Sequence, residues 1–258
     1  MEKLLDEIES YWSTRTEGYS EVNHKELAGT QKNAWLKVLT SQFPDKPKEE
    51  IRILDIGTGP GFFPVILAEA GYHVDAVDYT EGMLEKAKEN AGDLCRNIRF
   101  LRMDAQKLDF EDNTFDVVIS RNLTWNLEHP DVAYREWVRV LKAGGRLLNF
   151  DANWYGYLYE EEQRKAYEND RKNVENNSLD DHYLCTDIER MERIALQVPL
   201  SKISRPRWDV KTLREAGLLG IRTDTEIWKT VWSEEERLNY QSTPMFMVTG
   251  VKPDHFLN

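Results

Sequence analysis

Between positions 51 and 150 the apolar residues fall into short runs that alternate with stretches of helical spacing. The run Ile51-Arg52-Ile53-Leu54-Asp55-Ile56 predicts a strand. An apolar helix follows over 62–70, stopped by Gly71. The pattern predicts a second strand over 73–78, then a helix over 81–90 with Met83, Leu84 and Ala87 on one face. Three more strands are expected at 98–103, 115–120 and 146–150, the last reached through a helix over 132–141 and the turn Ala143-Gly144-Gly145. Such alternation predicts a doubly wound, mostly parallel α/β sheet with right-handed crossovers.

The flanks follow other patterns. Residues 1–50 are expected to be helical, with Leu4, Leu5, Ile8, Tyr11 and Trp12 at helical spacing and a second run around Trp35, Leu36 and Leu39. Residues 151–207 are polar and aromatic, with helical stretches at 161–175 and 187–196. A compact domain needs no structureless connection of that length, so an inserted helical cap is expected there. Residues 208–258 return to the core rhythm: a helix over 210–216, a strand over 221–228 and a closing strand over 245–251. The expected fold is thus a seven-stranded sheet with an antiparallel last strand, a helical N-terminal segment and a cap.

Composition narrows the class. A chain of 258 residues with 40% apolar content can bury a full core, and 31% charged residues favour solubility. No apolar run approaches the roughly 18 residues of a membrane span, and the N-terminus lacks a basic region followed by an apolar stretch. With only Cys95 and Cys185, no disulfide framework is expected, and a cytoplasmic home is the simplest expectation. The net charge of -12 disfavours nucleic acid, whose backbone calls for clustered Lys and Arg. Oligomeric state is not legible.

The candidate chemistry lies in the turn Asp55-Ile56-Gly57-Thr58-Gly59-Pro60-Gly61, between the first strand and its helix. Glycines there let a ligand approach the backbone. Asp78, at the end of the next strand, is suited to accept hydrogen bonds from two ribose hydroxyls. The spacing is G-x-G-x-G rather than the G-x-G-x-x-G of many dinucleotide binders, and Asp55 would repel a pyrophosphate but suits an ammonium group.

From residue 53 to residue 150 the chain resembles class I S-adenosylmethionine-dependent methyltransferases of the ubiquinone/menaquinone-biosynthesis type. The resemblance rests on the glycine turn, Val77-Asp78 with Met83-Leu84, Met103-Asp104-Ala105, Phe115-Asp116-Val117-Val118, and Arg139-Val140-Leu141-Lys142-Ala143-Gly144-Gly145-Arg146-Leu147. It implies S-adenosylmethionine as cofactor and a small molecule as methyl acceptor. It implies further that Gly57, Thr58, Gly59 and Gly61 shape the cofactor loop and that Asp55 lies beneath the methionine amino group. Asp78, with Tyr79 beside it, would take the ribose, Met83 would pack on the adenine, and Asp104 and Ala105 would bind the adenine edge. Arg121 and Asn122, at the end of the fourth strand, serve either the methionine carboxylate or the substrate.

On the acceptor side, Asp151, Asn122 and Tyr19 are the candidate catalytic residues, with His24 and His182 as further candidate bases. Trp12, Arg15 and Tyr19 either close the site or pack as a helix on the sheet edge. Trp125, Trp154 and Tyr155, with Tyr157 and Tyr159, form either a substrate wall or a stacking surface under the cap. Asp180, Asp181, His182 and Cys185 mimic a metal cluster, but no second Cys or His pair stands nearby, and no metal is expected. Two other functions compete: a non-catalytic S-adenosylmethionine-binding interaction module, and an NAD(P)-dependent Rossmann oxidoreductase, which the glycine spacing disfavours.

Overall fold

The β-branched and leucine-rich run at Arg52–Ile56 forms β1, flanked by His73–Asp78 (β2) and Phe115–Arg121 (β4), both parallel to it. The computed structural model describes residues 4–183 and 186–254. Ile98–Arg102 (β3) pairs with β2, and Leu141–Asp151 (β5) pairs with β4, again in parallel. Phe246–Val251 (β7) runs antiparallel to β5, and Leu219–Asp224 (β6) closes the edge antiparallel to β7. The sheet order is β3-β2-β1-β4-β5-β7-β6. The order reverses between β1 and β4, and a crevice opens beyond the carboxyl ends of the strands at that point.

Helices cover both faces. Phe62–Glu69 (α3) is apolar all round because it is buried all round, packed between the sheet and the helix Gln31–Thr40 (α2). Glu81–Ala91 (α4) buries Met83, Leu84 and Ala87. Pro130–Val140 (α5) carries Pro130 in its first turn, where a missing N–H costs nothing, and buries Tyr134 and Trp137 against the other face. Leu4–Ala28 (α1) lies across the top of the crevice. Its Tyr11 joins Trp125, Tyr155, Tyr157, Tyr183 and Met191 in a cluster separate from the two main cores. The segment after β5 carries Glu161–Asn176 (α6) and Ile188–Ala195 (α7) before Arg207–Glu215 (α8) returns to the sheet. Among the described residues, no helix is long and apolar enough to cross a membrane.

Two expectations need correction. β5 begins at Leu141, not 146, because the turn pairs with the chain end: Gly144 N donates to Lys252 O and Lys252 N to Gly145 O. β6 ends at Asp224, well short of 228. The chain then forms Trp228–Val231 (α9) and Glu234–Asn239 (α10). At the strand end Asp224 Oδ1 accepts from Glu226 N at 2.8 Å and turns the chain out of the sheet, and further on Ser233 and Glu236 make a reciprocal cap on α10.

Candidate active site

The turn after β1 holds its shape because two of its glycines admit nothing larger. Gly57 has φ +70°, and a Cβ there would lie 2.7 Å from the Leu123 side chain. Gly61 has φ +90°, and a Cβ would meet the Ala87 Cβ at 3.0 Å. Asp78 fastens the turn: one carboxylate oxygen accepts from Gly59 N and the other from Thr80 N, both at 2.9 Å. Each oxygen keeps lone-pair capacity, and Asp78 faces a cavity of about 890 Å³, open mouth included.

That cavity is also lined by Gly57, Gly59, Tyr79, Met83, Asp104, Ala105, Arg121 and Asn122. The turn thus converges with the ends of β2, β3 and β4 on one space. Asp104 Oδ1 accepts from Gln106 N at 2.9 Å and Gln106 Nε2 at 3.1 Å, which orients the carboxylate. From above, α1 contributes Leu5, Ile8, Glu9, Trp12 and Tyr19. Thr58 and Gly61 shape the turn from beneath and do not line this space. Asp55 is also below it, 2% exposed. Burial lifts its carboxyl to about 7; Thr58 and Arg121 oppose the rise, and the negative Asp78 adds to it.

Sequence reasoning missed Asn126. It sits in the turn after β4, accepts Trp12 Nε1 at 2.7 Å and lines the cavity, with Nδ2 buried and unpartnered. No local pattern marks it, because its partner is 114 residues away.

A second, larger cavity of about 1870 Å³, mouth included, lies between α1, the segment after β5 and α10. Trp12, Tyr19, Arg121 and Asn122 belong to both cavities, so the two meet there. Arg15, Trp125, Trp154 and Tyr155 line the second. Asn122 has φ +56°, the left-handed conformation that Asn tolerates best after Gly, and this turns the chain at the junction. Burial, the largest effect on Tyr19, raises its phenol above the ordinary value, against the pull of Arg121 and the Asn122 side chain.

Two candidates are corrected here. Asp151 is fully buried, lines neither cavity and already accepts four donors. These are Trp125 N and Ala152 N at 2.9 Å, Trp154 Nε1 at 3.0 Å and Arg205 Nη1 at 2.6 Å. It cannot reach an acceptor's proton and is a structural node, not a base. Arg121 stands at the junction, but Glu26 holds its two terminal nitrogens at 2.7 and 3.0 Å. Its guanidinium also lies 4.8–5.3 Å from the ring centres of Trp35, Phe62 and Phe63. It is not free to clasp a carboxylate.

His24 is exposed and outside both cavities. His182 lines the second, with Tyr240 Oη and Glu235 Oε1 each 3.0 Å from its ring nitrogens. Cys185 lies outside the described residues, among which no group of three His, Cys, Asp or Glu is placed to hold a metal.

Residues 54–149 match the methyltransferase domain family. This segment is a methyltransferase domain. It is 41% identical over 98 residues to a demethylmenaquinone methyltransferase of Clavibacter sepedonicus, covering 38% of this chain and 39% of that protein. Identity to the protein of the same name from Renibacterium salmoninarum is 31% over 148 residues, 57% of this chain and 60% of that one. The match therefore spans about two fifths to three fifths of these curated relatives' length. The fold is also that of Haemonchus contortus phosphoethanolamine N-methyltransferase 2 in complex with S-adenosyl-L-methionine. The TM-score is 0.62 at 18% identity, over 90% of this chain and 56% of that one. The methyltransferase domain supplies β1 to most of β5, with the first cavity at its carboxyl edge. The walls of the second cavity come mainly from outside it.

Proposed function

We propose that the chain is an enzyme that transfers a methyl group from S-adenosylmethionine to a small molecule. The observation that carries this is the meeting of the two cavities at Trp12, Tyr19, Arg121 and Asn122, one in the methyltransferase domain and one beyond it. The residues of the first cavity fit the cofactor. Asp78 has lone pairs left for two ribose hydroxyls, and Asp104, Ala105 and the apolar Met83 suit an adenine. Buried Asp55 suits a nearby positive amino group, with Gly57, Thr58, Gly59 and Gly61 shaping the loop and Tyr79 on the wall. When bound, the cofactor supplies an electrophilic methyl group on a sulfonium.

The chain's own residues then align and shield. Trp12 and Tyr19 of α1 close over the junction, and Asn122 presents its side chain there. The raised Tyr19 phenol stays protonated at neutral pH, so it orients an acceptor by donating and does not take a proton. Trp125, Trp154, Tyr155 and Arg15 wall the acceptor's side. Exclusion of water and alignment of nucleophile with methyl and sulfur supply the acceleration. The size of the second cavity supports a small acceptor, and the charge of -12 weighs against a polyanion. A cytoplasmic setting belongs to the same proposal, supported by the low cysteine content.

Calorimetry on the full chain tests the proposal. S-adenosylhomocysteine should bind and NAD should not, and Asp78→Ala should weaken S-adenosylhomocysteine binding by about 1–3 kcal/mol. Transfer of label from methyl-labelled cofactor to a metabolite extract separates an enzyme from a binding module. NAD binding without S-adenosylhomocysteine binding overturns the proposal, and cofactor binding without any labelled product leaves only the binding module.

A further inference from the structure

We infer that the second cavity takes a small molecule carrying an amine or ammonium group, and that its nitrogen is the methyl acceptor. This rests on the proposed methyltransferase activity and adds the acceptor's chemical class. The methyltransferase match covers residues 54–149, and most of this cavity's wall lies outside it, so the acceptor has to be read from the wall itself.

The first argument is the aromatic lining. Trp125 stacks on Tyr155 at 5.0 Å between ring centres, Tyr155 meets Tyr183 at 6.5 Å, and Tyr183 meets Tyr240 at 5.8 Å. Trp232 and Trp154 join Tyr240 at 5.7 and 5.3 Å. All six residues line the cavity, and Tyr183 already holds the Arg171 guanidinium 4.7 Å from its ring centre, so this set of π systems is suited to attract a cation.

The second argument is charge. Glu26 and Arg121 neutralise each other, leaving Glu236 as a further acid in the same wall. Its Oε2 is held only by neutral donors, Gln31 Nε2 at 2.6 Å and Ser233 N at 2.8 Å. Burial and then Glu26 raise its carboxyl, more than Arg121 offsets. Asp181 is spoken for by Arg171 at 2.6 Å, and Glu21 and Lys25 at the rim are exposed. Glu26, Glu236 and Arg121 thus form a cluster of two carboxylates and one guanidinium, while Arg15, the other half-buried cation of the wall, acts on Tyr19; a cationic ligand completes the cluster. Asn23 adds an acceptor: it is 1% exposed, lines the cavity, and its Oδ1 is buried with no donor.

The third argument concerns protons. The shared wall offers an indole, a protonated phenol, a guanidinium and an amide, none of which takes a proton at neutral pH. An alcohol or a carbon acid needs a base there, whereas an amine, protonated at neutral pH, has only to lose its ammonium proton to solvent before its lone pair can attack. Its lone pair forms the new nitrogen–carbon bond while the sulfur–carbon bond breaks with its electron pair to sulfur. The positive charge passes from sulfur to nitrogen. A tertiary amine, once neutral, sheds no further proton in this step, and a primary or secondary amine releases one more to solvent afterwards. The charge that develops on nitrogen meets the aromatic and acidic wall, so the cavity favours the transition state over the neutral amine.

The test compares choline with its uncharged carbon isostere, 3,3-dimethylbutan-1-ol, by titration calorimetry on the full chain with and without S-adenosylhomocysteine. Choline should bind at least about tenfold more tightly. Glu236→Gln should remove most of that preference while leaving the isostere and S-adenosylhomocysteine unchanged. If that variant does not fold, the wild-type ratio still decides. With methyl-labelled cofactor, 2-dimethylaminoethanol should be converted to labelled choline. Equal binding of the two alcohols with S-adenosylhomocysteine bound, or labelling of a hydroquinone and not the amine, overturns this inference alone. Failure to bind S-adenosylhomocysteine instead overturns the activity on which it rests.

Discussion

Asp55 shows how a single residue trades stability for a site. Its carboxyl is raised from 3.8 to about 7 by burial. Between those values the unfolded chain has lost a proton that the folded chain keeps, so stability falls as pH rises through that window and levels off above about 7. Asp55→Asn removes the penalty. The free variant should be more stable than wild type at pH 8 by about 1–3 kcal/mol and nearly equal to it at pH 4, as read by thermal melts at both values. A cofactor with a positive amino group needs the ionised form, so wild-type affinity for S-adenosylhomocysteine should weaken as pH drops below about 7. In Asp55→Asn the affinity should be lower and show a flatter pH profile from pH 6 to 8. A variant that binds as wild type does at pH 8 would remove Asp55 from the cofactor site.

At the scale of elements, α1 and the segment 151–183 pack on one another beside the second cavity. They meet through the cluster of Tyr11, Trp125, Tyr155, Tyr157, Tyr183 and Met191, set apart from the cores under the sheet. A satellite cluster buries less than a core and opens at lower free energy. On the proposed function, these two elements open to admit ligand and close to exclude water. Hydrogen exchange should therefore be fast over residues 8–24 and 151–183 in the free protein and slow on addition of S-adenosylhomocysteine. β1 and β4, central in the sheet, should be protected in both states. Strong protection of both segments without ligand would make them fixed packing and not a lid.

Across the whole molecule, one buried polar network ties the sheet to the wall of the second cavity. Arg205 spans Asp151 at the end of β5 and Asp209 in α8, each at 2.6 Å. Tyr134 of α5 donates to Asp209 at 2.5 Å, and Asn149 of β5 donates to Tyr134 at 2.8 Å. Through Trp125 N and the Trp154 indole, Asp151 also fixes two walls of the second cavity. Asp151→Ala leaves Arg205 with one partner in a dry interior and should cost about 3 kcal/mol, measured by urea unfolding. If Asp151 were instead a base, the variant would keep its stability and lose only turnover.

The sequence by itself determined the core: the strands from β1 to β4, the glycine turn and the acids at the strand ends. These rest on local facts, namely alternation of apolar runs, helix stops and the φ that a tight turn requires. β2 falls on the positions its pattern predicted, 73–78. Tertiary structure alone decided which polar residues are free. Arg121 is engaged by Glu26, 95 positions earlier, and Asp151 by Arg205, 54 positions later. Asn126 enters the site through Trp12, and α10 with the Tyr240 that follows it brings Glu236 and Tyr240 to the second cavity from between the two expected last strands. No local spacing encodes such pairings. They exist because a buried charge or donor takes whatever partner the folded chain brings within reach, and burial then sets which groups keep a proton.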